Sequence, residues 1–105
     1  MKLKAGERLK GLREFAGLTR QDFSNVTNIE LPRLTNIEKL RVKVSEDEFA
    51  KVGLLFPEVV QWLVFEGDIS LEALRASEQK YCRLIAAKFE AGQTPEGYGL
   101  EEKIK

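Results

Sequence analysis

The chain has no histidine and one cysteine, Cys82, among its 105 residues. Without an imidazole there is no ready general base near neutral pH, and the lone thiol has no base partner in the surrounding sequence. No glycine-rich loop of the phosphate-cradling type occurs. An enzyme is therefore not expected, and no cofactor or metal is implied. The acidic run Glu46-Asp47-Glu48 could in principle hold a metal, but acids at a helix start more often serve as caps. A single cysteine excludes an internal disulfide and suits a reducing cytoplasm. No apolar run approaches the ~20 residues of a membrane span, and the opening MKLKAGERLK lacks the apolar core of a signal peptide. No membrane association is expected.

Net charge is also missing, with 17 basic residues against 17 acidic ones. The distribution is uneven. Residues 1–43 hold ten Lys/Arg against five acids, or +5, and the remainder holds seven against twelve, or −5. A chain split in this way can turn a basic face to phosphates while its acidic half points elsewhere. With 43% hydrophobic and 32% charged residues, 105 residues suffice for one domain with a real core.

Periodicity and caps predict an all-α chain. The first helix is expected over residues 5–15, with Ala5, Leu9, Leu12 and Ala16 on one face and Gly17 as its stop. Thr19 opens a second helix, over about residues 20–26, with Asp22 placed to complete a capping box. Asn28 tolerates a left-handed turn, and Pro32 suits the first turn of a third helix over about residues 31–39. In that helix Leu34 and Ile37 face inward while Pro32, Asn36 and Lys39 face out, flanked by Arg33 and Thr35. The pair reads as a helix-turn-helix. Leu40 to Val44 alternates like a strand but has no partner, so an extended connector is expected.

Ser45-Glu46-Asp47-Glu48 is a capping box that starts a fourth helix, expected to stop at Gly53. Pro57 opens a fifth, over residues 57–65, apolar enough to be buried nearly all round, in the core or against a partner chain. One long helix is expected over residues 71–91, about 30 Å in length. Its stripe, Leu71, Leu74, Glu78, Tyr81, Cys82, Ile85 and Phe89, either covers the bundle or pairs with a second copy. Residues 93–105 contain Pro95, Gly97 and Gly99 and are expected to form a loose tail.

The strings GERLKGLREFAGLTRQDFS, NIELPRLTNIEKL and FPEVVQWLVFEG resemble, in that order, the Xre/Cro-like helix-turn-helix domain of phage repressors and bacterial regulators. The likeness covers residues 5 to about 67. It implies a compact five-helix repressor-like bundle in residues 1–67, followed by a C-terminal helix in 68–92 that could dimerise. Arg13 matches a family position that commonly pairs with the glutamate equivalent to Glu38. The third helix is expected to enter the major groove and the second to cross the backbone. DNA contacts are then expected from Arg20, Gln21, Leu31, Pro32, Arg33, Thr35, Asn36, Lys39, Arg41 and Lys43. Arg20 would bind phosphate; Arg33 would fork onto guanine; Asn36 would meet adenine or the backbone. Trp62, Phe65, Leu74, Tyr81 and Ile85 are candidates for a dimer contact. The chain departs from the family in having Glu30, Leu31 and Pro32 at the front of helix three, and Lys39-Leu40 where a glycine is common.

The function implied is a DNA-binding transcriptional regulator, a prophage- or Cro-type repressor acting as a homodimer on a palindromic operator. The alternative is an antitoxin or accessory module that uses the same fold to bind another protein.

Overall fold

Two serine or threonine caps set the helix starts in the first half of the chain. The Thr19 hydroxyl accepts from the Asp22 N–H at 3.1 Å, and the Thr19 N–H donates to the Asp22 carboxylate at 3.4 Å. At the second site the Glu48 N–H donates to Ser45 Oγ at 3.2 Å, and the Ser45 N–H donates to Glu48 Oε1 at 2.8 Å. Each exchange satisfies two backbone or side-chain groups that a helix start leaves open. The computed structural model describes residues 3–104. Its helices are α1 (Ala5–Phe15), α2 (Arg20–Thr27), α3 (Leu31–Glu38), α4 (Glu46–Leu55), α5 (Val60–Phe65), α6 (Leu71–Ala76), α7 (Lys80–Glu90) and α8 (Leu100–Lys103). A 3-10 turn, Pro57–Val59, leads into α5. The described residues form no strand, only one isolated parallel bridge between Ile69 and Ile104.

Three helices end in the same way. After α1, α3 and α7 the next two N–H groups beyond the cap turn back onto the last carbonyls, as in Leu18 to Arg13 at 3.1 Å and Arg41 to Asn36 at 2.9 Å. The pattern needs a left-handed residue, supplied by Gly17 (φ 74°) and Gly92 (φ 71°) but by Leu40 (φ 61°) after α3. A leucine there carries a steric cost of about 1 kcal/mol that glycine avoids. Gly53, expected to stop the fourth helix, lies inside α4, which runs on to Leu55.

The core is continuous. Helix α1 packs on α3 and α5, α2 on α3 and α4, and α7 on α4 and the 3-10 turn. A Cβ on Gly6 would stand 2.4 Å from the Ile37 carbonyl oxygen, so glycine is what lets α1 approach the end of α3. An aromatic chain runs through the middle, Phe23 to Phe56 at 6.1 Å and Phe56 to Tyr81 at 5.6 Å between ring centroids.

Several expectations need correction. The single helix over residues 71–91 is two helices, because Ser77 leaves the helical conformation (ψ 142°). Its hydroxyl donates to Glu58 at 3.0 Å and accepts from the Gln79 N–H at 3.1 Å, and its carbonyl accepts from Arg83 at 2.6 Å. These bonds compete with the helical ladder and prevail. The two pieces fold against each other. The expected loose tail instead returns to the core. Leu100 and Ile104 are buried, Tyr98 covers Gly11, and the Ile69 N–H donates to the Lys103 carbonyl at 2.6 Å. Of the dimer candidates, Trp62, Leu74 and Ile85 are buried in their own chain's core, and Tyr81 lies partly buried with its ring tilted against Phe56. Phe65 alone among them is exposed, so helix five is not buried all round.

Candidate functional site

Helix α3 is fixed to the rest of the bundle by charged clamps at both ends. At its C-terminal end the Glu38 side chain is 0% exposed and accepts three hydrogen bonds from two guanidinium groups. Arg13 Nε and Nη2, from α1, donate to it at 2.8 and 3.0 Å, and Arg20 Nε, from the first turn of α2, donates at 2.9 Å. Arg13 also donates to the Leu18 carbonyl at 2.9 Å, which ties the α1–α2 connection to the same point. Three helices thus meet at one carboxylate. Bidentate pairing of this kind fixes direction as well as distance.

At the other end Arg33 reaches across to α4. Its Nε and Nη2 donate to the Glu48 carboxylate at 2.7 and 2.8 Å, and Nη2 also donates to the Lys43 carbonyl at 2.8 Å. The Arg33 guanidinium holds the Glu48 carboxyl down to about 2, helped by the Ser45 bonds and opposed by burial. Arg33 was expected to fork onto a guanine. In this structure the fork holds the Glu48 carboxylate. Its work here is to fasten α3 to α4 and to the connector between them.

The outward side of α3 carries the other expected contact residues. Pro32 and Lys39 are exposed, as are Arg41 and Lys43 just beyond, while Leu31, Thr35 and Asn36 are half-buried. The Thr35 hydroxyl donates to the Leu31 carbonyl at 2.9 Å, and Arg41 reaches Asn36 Oδ1 only at 3.5 Å. Gln21 on α2 is exposed and donates to Asn25 at 3.0 Å. Lys39, Arg41 and Lys43 have no ion pair among the described residues, whereas Arg20 is held by Glu38 and is 37% exposed. Glu30 is an exposed acid at the α3 N-cap. The arrangement offers cations without ion pairs next to a mixed helix face of Leu31, Pro32, Thr35 and Asn36.

Two residues of consequence escaped the sequence reading. Arg8 is 4% exposed, and its guanidinium donates to the carbonyls of Leu63 at 2.7 Å and Val64 at 3.0 Å, to that of Leu3, and to Glu66 at 3.2 Å. It caps the C-terminus of α5, where carbonyls lack helical partners and the helix dipole favours a cation. The available signal was position. Arg8 lies three residues after Ala5 and four before Leu12, within the apolar face of α1. Glu48 was read as a cap alone, and nothing local marks it as the partner of Arg33. The Cys82 thiol is pushed up to about 11, chiefly by burial and then by Glu58, so it stays protonated at neutral pH.

No helix among the described residues is long and apolar enough to cross a membrane. Compared with known protein families, characterised proteins and solved structures, the chain matches none of them.

Proposed function

We propose that this protein is a DNA-binding transcriptional regulator of helix-turn-helix type, built as a repressor-like bundle and working in the cytoplasm. Two copies act together on a palindromic operator, one per half-site. The observation that carries this reading is the anchoring of α3 at Glu38 and Arg33, with its outward face and the unpaired cations Lys39, Arg41 and Lys43 left to solvent. A recognition helix needs that combination of rigid support and an uncovered outward face.

In this reading α3 lies in the major groove. Asn36 is placed to bridge adenine, and Thr35, Leu31 and Pro32 to meet thymine methyl groups. Arg20, Gln21, Lys39, Arg41 and Lys43 contact phosphates and set the register. Glu30 disfavours close approach of phosphate at the front of the helix and narrows the usable docking angles. Repression would follow from occupying promoter DNA.

The test is a titration of the pure protein with its own upstream DNA across a salt series. Binding should weaken steeply with salt, and each lost phosphate contact should reduce the log–log slope by about 1. Lys39→Ala should lower affinity on all sequences, and Asn36→Ala should reduce discrimination between sequences. Equal affinity for the upstream site and for unrelated DNA at every salt concentration would count against the reading.

A further inference from the structure

An open groove of about 760 Å³ lies between the start of α1, the connector 40–44 and the end of α5. Its apolar wall contains Leu40, Val64 and Phe65, exposed at 42%, 40% and 60%, which are three of the six exposed large hydrophobic residues among those described. Lys4, Arg41 and Lys43 also line it, and no Asp or Glu does. None of these three cations has an ion pair among the described residues, and the nearby Glu66 is held by Arg8. We propose that this groove binds an acidic segment of a partner protein that carries large apolar side chains.

Charge decides between occupants. A two-fold contact through this groove would set the same acid-free patch against itself, so no carboxylate would meet the cations, which is unfavourable. DNA supplies phosphates, but its apolar groups are single methyls too small to cover Leu40, Val64 and Phe65 together. A small amphiphile favours an enclosed cavity in which most of its surface is buried, and this groove is open along one side. An acidic segment with apolar anchors matches both the rim and the floor, in the manner of helix-in-groove recognition. Leu40 adds support, because its left-handed backbone would be easier for glycine, yet a leucine stands there and extends the apolar wall. Arg41 and Lys43 also belong to the proposed phosphate contacts, so a seated segment would lower DNA affinity. That consequence alone rests on the DNA-binding reading.

The experiment pans a displayed library of random peptides against the full chain. The leading peptide is then synthesised and titrated by fluorescence anisotropy, without DNA, so a failure of the DNA-binding reading leaves the result intact. Expected is a consensus rich in Asp and Glu with at least two large apolar residues, bound more weakly as salt rises. Phe65→Ala should weaken it about tenfold. Leu40→Gly should weaken it as well, with circular dichroism at the assay temperature showing the variant folded, which separates loss of the groove from loss of the fold. The double variant Arg41→Glu, Lys43→Glu should abolish it. The proposal is overturned by a neutral or basic consensus, by no enrichment, or by binding indifferent to Phe65→Ala and Leu40→Gly. It is also overturned if the groove takes dodecanoate but no peptide, or if it mediates self-association that Phe65→Ala dissolves.

Discussion

Replacing Glu38 with glutamine keeps the shape of the side chain and removes the charge that two arginines share. The carboxylate is fully buried, and its three donors stand between 2.8 and 3.0 Å away. Arg13, 11% exposed, would keep its bond to Leu18 and a looser 3.9 Å approach to the partly exposed Glu14 carboxylate. Arg20, 37% exposed, can turn to water, so its share is discounted. Breaking one side of a buried pair costs roughly 3–5 kcal/mol, and the escape of Arg20 places this case near 3 kcal/mol. Arg13→Ala should cost about 2–3 kcal/mol and Arg20→Ala about 1 kcal/mol or less. A double-mutant cycle between Arg13→Ala and Glu38→Ala should return a coupling of about 2 kcal/mol. Urea unfolding followed by far-ultraviolet circular dichroism measures all of these, provided the slope with denaturant is unchanged. If Glu38→Gln shifts stability by less than about 0.5 kcal/mol, or Arg20→Ala costs as much as Arg13→Ala, the junction is not what fastens α3.

Arg8→Met should destabilise the chain by about 2–3 kcal/mol by leaving the α5 carbonyls unpaired, and Arg8→Lys should recover only part of this because an ammonium cannot span the same acceptors; chemical denaturation reads both. The Glu48 carboxyl is lowered from 4.5 to about 2 in the folded chain. Its contribution to stability is therefore complete above about pH 4.5 and lost as pH falls toward about 2. With Arg33 38% exposed, that loss should be on the order of 1–2 kcal/mol, and Glu48→Gln should flatten this limb of an acid titration of stability. Leu100→Ala should cost about 2 kcal/mol. Deleting residues 93–105 should also speed hydrogen exchange at the Ile69 N–H, which the Lys103 carbonyl accepts from in the intact chain.

Local chemistry made the first half of the chain readable. Thr19 with Asp22, Ser45 with Glu48, Asn28 in a left-handed turn and Gly17 after α1 act within a few residues of themselves, and their helices begin and end close to where those signals lie. Features that depend on distant partners were not readable. The break at Ser77 needs Glu58, which lies 19 residues earlier, and the engagement of Arg33 needs Glu48, 15 residues later. The glycines near the C-terminus looked like slack. Gly97 and Gly99, with φ of 95° and 64°, instead turn the chain so that Leu100 and Ile104 reach the core. Trp62, Leu74 and Ile85 were assignable to either a core or an interface from pattern alone, because both ask for the same apolar stripe. Phe65, at the end of the same helix as Trp62, lies on the other side of that division.

The most direct test of DNA recognition is selection of bound sites from randomised double-stranded DNA by the full-length protein. The expected result is a two-fold-symmetric consensus whose half-sites lie about 10 base pairs apart, or a multiple of that spacing, and whose sequence preference is blunted by Asn36→Ala. Recovery of no enriched sequence after repeated rounds, with the protein folded, would contradict it.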